Sequence, residues 1–299
     1  MIPLVVLDLD GTLIGASGQV EPCILEAADA AREAGVRLAI CTGRPGFGIA
    51  AKVARRIDPD TPHVFQNGAQ ITYLDGDTLQ VSGLKEDQVR ALVKAARDLG
   101  LVLELYTPDT LYVERKTEIS EAHATMIGVT ALKRDLLDVA ANEPVVRAQW
   151  VVPPDRYDEA MAVAVDGVHA HPATSPALPG TYFVSLTRGA IDKGSALRKL
   201  TDRLEIDPAH VMAIGDSPGD VAMLEAVGHP RVVESGDPEV VARWAAYRLP
   251  GVEACGAAVG LRDAITRRAD VIEAPGGPDG APPPSEDGAA DAAGPGTGR

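Results

Sequence analysis

Residues 4–13 read LVVLDLDGTL, an apolar run that leads directly into two acids, a glycine and a threonine. A continuous run of branched apolar residues is typical of a strand buried on both faces of a parallel sheet. Ligands bind beyond the carboxyl ends of such strands, so Asp8 and Asp10 stand where a site would form. Two carboxylates held together on one side of an extended backbone favour a bound cation. Taken alone, the stretch also fits an ordinary polar exit from a strand.

The same alternation of apolar strands and helices continues on either side of a different middle section. Strands over Val36–Cys41 and Val211–Ile214 and helices over Glu21–Ala34 and Ser195–Leu204 are the clearest elements. Alternating units of this kind predict an α/β fold with a doubly wound, parallel, Rossmann-like sheet.

The middle section, residues 84–187, reads as hairpin-like strand pairs with helices, one of them expected over Asp155–Val165. Strands clustered with helices on one side predict an α+β cap inserted into the core, whose two parts are residues 1–83 and 188–273. Residues 274–299 are nearly all Gly, Pro, Ala and acidic residues. Such a segment cannot bury enough apolar surface to offset its ordering entropy, so we predict a disordered tail.

Three further junctions between predicted elements carry polar residues. Thr42-Gly43-Arg44 offers a hydroxyl and a free amide at a strand end, which suit an anion. Lys193 opens the helix that returns to the core and could offset phosphate charge. Asp216 and Asp220 follow the strand Val211–Ile214 and would complete an oxygen-rich set for Mg²⁺. Each junction alone also fits a structural reading: a strand–turn–helix connection, a solvated lysine and an aspartate N-cap.

Charge and cysteine content narrow the class of protein. The 299 residues carry 28 basic and 43 acidic side chains, a net charge of −15. This argues against a nucleic-acid or anionic-membrane partner, since both require basic surfaces. Three cysteines without a CxxC pair suggest neither a disulfide framework nor a zinc site, and His169 and His171 lack a third ligand nearby. Without a signal peptide or a long apolar segment, we expect a soluble cytoplasmic protein.

Together, the four motifs resemble those of the haloacid dehalogenase (HAD) superfamily of phosphotransferases. The likeness covers most of residues 1–83 and 188–268, with all four motifs present in order. The insert resembles, in its position and α+β character, the large cap of the Cof-type branch. That branch consists largely of sugar-phosphate and related phosphatases.

The resemblance implies a role for each motif residue. Asp8 would attack phosphorus and form an aspartyl-phosphate, and Asp10 would act as general acid and then as general base. Mg²⁺ would be held by the Asp8 side chain, the Asp10 carbonyl and Asp216. The remaining residues would bind the phosphoryl group (Thr42, the Gly43 amide and Lys193), contact the substrate (Arg44) and orient Lys193 or the metal ligands (Asp220).

The fourth motif departs from the Cof-type pattern at one position. Cof-type enzymes typically carry Asn immediately before the second acid, where this chain has Gly219, so a hydrogen bond into the site is missing. The sequences GDSP at residues 215–218 and MLEAV at residues 223–227 are also similar to those of mannosyl-3-phosphoglycerate phosphatases, a related cap class.

The resulting prediction is a Mg²⁺-dependent phosphomonoester hydrolase that acts on a small phosphorylated metabolite, with a sugar phosphate as the expected class. One alternative is a phosphotransferase such as a phosphomutase, which shares the aspartyl-phosphate step. Another alternative is a catalytically weak protein that binds a phosphorylated ligand. Gly219 and the acidic tail are the features that suggest it. The sequence gives no indication of the oligomeric state.

Overall fold

The computed structural model describes residues 2–175, 178–189 and 191–267. The strands, in chain order, are β1 (Leu4–Leu7), β2 (Arg37–Ile40), β3 (His63–Phe65), β4 (Gln70–Thr72), β5 (Thr78–Val81), β6 (Val102–Tyr106), β7 (Leu111–Val113), β8 (Ala131–Lys133), β9 (Arg147–Val152), β10 (Val168–Thr174), β11 (Tyr182–Arg188), β12 (Val211–Gly215), β13 (His229–Val233) and β14 (Arg248–Leu249). The helices are α1 (Pro22–Glu33), α2 (Ile49–Ile57), α3 (Glu86–Leu99), α4 (Glu118–Ile127), α5 (Leu136–Asn142), α6 (Tyr157–Met161), α7 (Lys193–Leu204), α8 (Val221–Glu225), α9 (Pro238–Arg243) and α10 (Gly256–Thr266).

The core is a parallel sheet in the order β14-β13-β12-β1-β2. Its central strand, β1, is buried on both faces because its side chains alternate between two apolar clusters. Val5 and Leu7 face a cluster that includes residues of α1 and α10, while Leu4 and Val6 face one that includes residues of α7 and α8. Helices on both faces of a parallel sheet confirm the predicted doubly wound α/β fold.

A small antiparallel sheet, β3-β4-β5, extends the β2 side of the core. It is joined there by a single parallel bridge between Cys41 and Val64. The turn between β3 and β4 is a short 3₁₀ segment, Gln66–Gly68. This turn lies beside the end of β2, next to the Thr42-Gly43-Arg44 motif.

The insert forms the expected second sheet, in the order β10-β11-β9-β6-β7-β8. Helices α3, α5 and α6 pack on one face and share its apolar core, which includes Trp150 and Leu105. The prediction of helices on one side only is wrong for α4, whose His123 bonds to Glu104 on the opposite face. The expected helix over Asp155–Val165 is also too long, since α6 ends at Met161.

A disulfide joins Cys23 of α1 to Cys255, the residue that precedes α10. The cysteine spacing did not suggest it, because the two residues are separated by 232 positions in the sequence. Folding brings them together because α1 and α10 pack on the same face of the sheet. Cys41 is free and buried.

Two sequence predictions concern other parts of the chain. The predicted disordered tail, residues 274–299, lies outside the described residues. Among the helices described, none combines the length and the apolar character that a membrane crossing requires.

We expect the Cys23→Ser/Cys255→Ser double variant to lose about 2–4 kcal/mol of unfolding free energy, because the unfolded chain regains the freedom that the crosslink removes. Urea denaturation of both proteins, with and without a thiol reductant, measures the loss. Reductant should destabilise the wild type and leave the double variant unchanged. Equal stability of the two proteins under oxidising conditions would contradict this expectation.

Candidate active site

The first, second and fourth motifs lie side by side at the carboxyl edge of the core sheet. The strand order places the end of β1 between the ends of β2 and β12. The Cys41 amide donates to the Leu7 carbonyl at 2.8 Å, and the Asp8 amide donates to the Ile214 carbonyl at 2.9 Å. Asp8, Thr42 and Asp216 therefore follow three adjacent strands at one edge, as the sequence predicted for a ligand site.

Lys193 of the third motif reaches into this edge from the start of α7. Its Nζ lies 2.5 Å from Asp8 Oδ1 and 2.6 Å from Asp220 Oδ1. The side chains of Lys193 and Asp8 are each 6% exposed, and that of Asp220 is fully buried. The third motif thus joins the first and the fourth through one buried cation that touches two carboxylates.

The start of α7 is built to hold Lys193 in this position. Asp192 is the N-cap, and its side chain accepts a hydrogen bond from the Ser195 amide at 2.6 Å, while Ser195 Oγ accepts one from the Asp192 amide. Gly194 allows α7 to approach α8, since a Cβ at this position would lie 2.3 Å from the Ala222 carbonyl oxygen. A capped and closely packed helix start fixes the direction of the lysine.

Asp220 has no free carboxylate oxygen. Its Oδ1 accepts from Lys193, and its Oδ2 accepts from the Asp216 amide at 3.1 Å and from the amide and hydroxyl of Ser217 at 3.0 and 2.9 Å. These bonds tie the loop after β12 to the lysine. The arrangement suits a residue that orients Lys193 and the Asp216 loop.

The carboxylates form an oxygen-rich cluster suited to a divalent cation. One oxygen each from Asp8, Asp216 and Asp220 lie within 4.8 Å of one another. Burial raises the pKa of Asp8 well above its usual range, and the charge of Asp220 raises it further, against the opposing effect of Lys193. Burial and the charge of Asp220 raise the pKa of Asp216 to about 7. A cation at this cluster would stabilise the charged form of these buried carboxylates and offset their mutual repulsion.

The loop after β1 brings its backbone against Asp216. Gly11 has φ +84°, and a Cβ there would lie 2.2 Å from Asp216 Oδ2, so only glycine fits. Thr12 Oγ1 donates to Asp216 Oδ1 at 3.3 Å. Because Asp220 is fully engaged, Asp8 and Asp216 are the carboxylates available to a metal ion.

Asp10 and Arg44 form a bidentate ion pair at the mouth of the site. Arg44 Nε and Nη2 donate to the two Asp10 carboxylate oxygens at 2.9 and 2.6 Å. The Asp10 side chain is 54% exposed and that of Arg44 is 16% exposed. The structure therefore places Arg44 on the expected general acid, whereas the sequence suggested a contact with the substrate.

Two residues of the turn between β3 and β4 support the second motif. Gln66 and Asn67 both have positive φ, 55° and 57°. The Asn67 amide donates to the Thr42 carbonyl at 3.1 Å, and the Gln66 amide donates to the Arg44 carbonyl at 3.0 Å. The Asn67-Gly68 pair was the available signal, since both residues tolerate left-handed backbone.

Thr42 and Gly43 are held closely by this turn. Thr42 is buried, and its Oγ1 accepts from the Arg44 amide at 3.2 Å. A Cβ on Gly43 would lie 2.8 Å from Asn67 Oδ1, which leaves the glycine backbone close to the asparagine amide. The second motif is therefore a compact turn with a hydroxyl and backbone amides at the same sheet edge as Asp8.

Comparison with known proteins places these features in a family. Residues 5–247 match the family described as haloacid dehalogenase-like hydrolase. The chain is 24% identical over 258 residues to the 5-amino-6-(5-phospho-D-ribitylamino)uracil phosphatase YwtE of Bacillus subtilis, covering 79% of this chain and 89% of that protein. It is 27% identical over 260 residues to the pyridoxal phosphate phosphatase YbhA of Escherichia coli, with coverage of 80% and 90%.

The fold is similar to that of solved structures. A haloacid dehalogenase-like hydrolase from Bacteroides thetaiotaomicron superposes with a TM-score of 0.77 at 22% identity, over 88% of this chain and 99% of that one. The superposition extends over core and cap, as expected for the Cof-type branch with its large α+β cap. The likeness to mannosyl-3-phosphoglycerate phosphatases stays a prediction.

We expect Lys193→Met to lower the free energy of unfolding at neutral pH by about 3–5 kcal/mol, because it leaves Asp8 and Asp220 buried without their cation. Lys199→Met, on the exposed side of the same helix, is the matched control and should change it by less than about 0.5 kcal/mol. Chemical denaturation of the three proteins measures both effects. Similar stability of the two variants would show that Lys193 does not compensate the carboxylates.

Proposed function

Since the chain belongs to the haloacid dehalogenase-like hydrolases, we propose that it is a phosphatase that releases inorganic phosphate from small phosphorylated metabolites. The observation that carries this proposal is the position of Lys193 between Asp8 and Asp220, beside Asp216. A carboxylate nucleophile, a fixed cation and a second carboxylate for a metal ion are the groups that phosphoryl transfer through an aspartyl-phosphate requires.

In the proposed first step, an Asp8 carboxylate oxygen attacks phosphorus and the bond to the leaving alkoxide breaks. Asp10 donates a proton to that oxygen as it leaves. In the second step, Asp10 takes a proton from a water molecule, which attacks the phosphorus of the aspartyl-phosphate and frees Asp8. The bidentate pair with Arg44 fixes Asp10 in its ionised form, which is the form that takes the proton in the second step. For the first step, Asp10 carries the proton that it donates.

The phosphoryl oxygens need donors that are already in place before the reaction. Lys193 supplies a buried positive charge next to Asp8, and the Thr42 hydroxyl and Gly43 amide supply neutral donors from the turn that Asn67 holds. Preorganised donors of this kind stabilise the charge that spreads over the transferred group. Asp220 acts through Lys193 and does not contact the substrate.

Mg²⁺ is the cofactor that we propose, because the donors at the site are carboxylate oxygens. Asp8 and Asp216 would hold it, together with the Asp10 carbonyl. When bound, Mg²⁺ would neutralise negative charge on the phosphoryl group and on the carboxylates. Four site carboxylates (Asp8, Asp10, Asp216 and Asp220) face two site cations (Lys193 and Arg44), so a divalent ion balances the remaining charge.

A sugar or sugar-alcohol phosphate is the substrate class that we propose. Support comes from one polar face of the cap sheet, where Arg147, Gln149 and Ser185 form a hydrogen-bonded group of the chemistry that recognises hydroxyl groups. The relative YwtE is named for a substrate with a phosphorylated ribityl chain. The net charge of −15 remains the argument against a nucleic-acid substrate.

We expect phosphate release from a panel of sugar phosphates to require Mg²⁺ and to fall at least about a thousandfold in Asp8→Asn, which removes the nucleophile. Asp216→Asn should instead raise the Mg²⁺ concentration needed for half-maximal rate. Asp75→Asn, an exposed aspartate in a turn, is the control and should behave as the wild type. Full activity in the presence of EDTA, or in Asp8→Asn, would refute the proposed mechanism.

Gly219→Asn tests the departure in the fourth motif. A Cβ at this position would meet only Ser217 Oγ, at 3.6 Å, so the backbone accepts a Cβ there without a clash. We expect kcat/KM to rise about two- to tenfold, the range of one added hydrogen bond. Gly219→Ala adds the Cβ without the amide and separates the two effects. An increase of the same size in both variants would contradict the hydrogen-bond explanation.

The cytoplasmic location stays a prediction, and the Cys23–Cys255 disulfide is the observation that bears on it. Disulfides are uncommon in reducing compartments, so a thiol pair that stays oxidised in the cell would argue for another location. Alkylation of free thiols in intact cells, followed by mass spectrometry of the two cysteine peptides, measures their state.

A further inference from the structure

One face of the cap sheet carries a continuous row of polar side chains. His171, Ser185, Gln149 and Glu104 are directly opposite one another on β10, β11, β9 and β6. Because side chains alternate along a strand, the neighbouring residues point to the other face, where they form the apolar core with α3, α5 and α6. The polar row therefore belongs to the face that these three helices leave uncovered.

This face lies against the core next to the phosphate-binding segments. At one side, the Thr107 carbonyl accepts a hydrogen bond from Gln66 Nε2 at 3.3 Å, and Gln66 is itself bonded to the Arg44 backbone. At the other side, burial and the charge of His169 lower the pKa of His171, while the charge of Asp192, the residue before Lys193, opposes this shift. Solvent reaches the face from the His171 side, where the side chain is half-buried.

Arg147 is the buried cation of this face, and among the described residues it forms no salt bridge with a carboxylate. Its Nη1 donates to Gln149 Oε1 at 2.8 Å and to Ser185 Oγ at 2.9 Å, and its Cζ lies 4.0 Å from the centre of the Tyr106 ring. The residue is 4% exposed, and its Nε has no hydrogen-bond partner. Within residues 2–175, 178–189 and 191–267, no carboxylate lies within 4.0 Å of its nitrogens.

The nearest acid does not compensate this charge by contact. Glu104 is two strand positions away on the same face, and its oxygens already accept from the Tyr106 hydroxyl, from His123 and from Gln149. Gln149 stands between the two charges, with its oxygen toward Arg147 and its nitrogen toward Glu104. A buried guanidinium with an unused donor is costly unless an anion reaches it.

We propose that Arg147 binds a second anionic group on the substrate, carried by the leaving alcohol and distinct from the phosphoryl group that is transferred. The preferred substrates are then phosphorylated hydroxy acids, such as sugar-acid phosphates, rather than neutral sugar phosphates. Ser185 and His171 extend the subsite with hydrogen bonds to hydroxyl groups. This inference rests on the proposed phosphatase function, and it replaces the neutral sugar or sugar-alcohol phosphate by a counterpart that carries a carboxylate.

The test compares two matched pairs of substrates, each pair differing by one carboxylate. The pairs are 6-phosphogluconate with sorbitol 6-phosphate, and 2-phosphoglycolate with 2-hydroxyethyl phosphate. In at least one pair we expect the wild type to favour the anionic member about tenfold or more in kcat/KM, mainly through KM, as for a charge-assisted hydrogen bond. Equal kcat/KM within both pairs would overturn the proposal.

Arg147 variants then assign the preference to this residue. In Arg147→Gln the preference should fall to about unity, and in Arg147→Lys part of it should remain, since the charge is kept and the planar fork is lost. The preference is a ratio within one protein, so a lower folded fraction cancels. Arg134→Gln, an arginine paired with Asp138 and Glu143 on the cap surface, is the control and should keep the wild-type ratio. A preference that survives in Arg147→Gln would overturn the assignment.

Calorimetric binding of the same pairs to the wild type separates this proposal from the phosphatase proposal. Tighter binding of the anionic members without phosphate release would refute the hydrolase function and leave the Arg147 subsite standing. Hydrolysis of both members of each pair with equal kcat/KM would refute the Arg147 subsite and leave the hydrolase function standing. If the protein neither binds nor hydrolyses any of the four compounds, both proposals are refuted.

Discussion

The buried contact of Lys193 with Asp8 and Asp220 is the interaction on which the site depends. It joins residues from three separate parts of the sequence, at 8, 193 and 220, through distances of 2.5 and 2.6 Å. Buried ion pairs contribute little net stability, because desolvation offsets their attraction. In this site the ion pairs fix the relative positions of three elements. The lysine can satisfy both carboxylates only if the ends of β1 and β12 and the start of α7 meet at one place.

Several close backbone approaches make this meeting possible. Gly11 lets the loop after β1 lie against Asp216, and Gly194 lets α7 lie against α8, each at a distance that a Cβ would block. The left-handed Gln66 and Asn67 hold the second motif from the other side, and Gln66 also donates to the Thr107 carbonyl of the cap. Left-handed backbone and glycine residues are thus concentrated around the reacting groups, where a fixed geometry matters more than local stability.

The features of the fold and the site that could be predicted from the sequence are those set by local pattern. The apolar run before Asp8 indicates a central parallel strand, and such strands place their terminal residues at a common edge, so the acids and Thr42 could be assigned to one site. Contacts decided by packing over long separations could not. The Cys23–Cys255 bond, the Asp10–Arg44 pair and the contact of Arg147 with Gln149 depend on how helices and sheets come together, which spacing does not encode.

The central claim is that Asp8 is a nucleophile assisted by Lys193 and a divalent ion. A crystal structure grown with Mg²⁺ and beryllium fluoride, a mimic of a phosphoryl group on a carboxylate, tests it most directly. We predict a beryllium fluoride adduct on Asp8, with a fluorine accepting from Lys193 and a metal ion between Asp8 and Asp216. Bound Mg²⁺ and fluoride elsewhere, with an unmodified Asp8 still paired to Lys193, would contradict it.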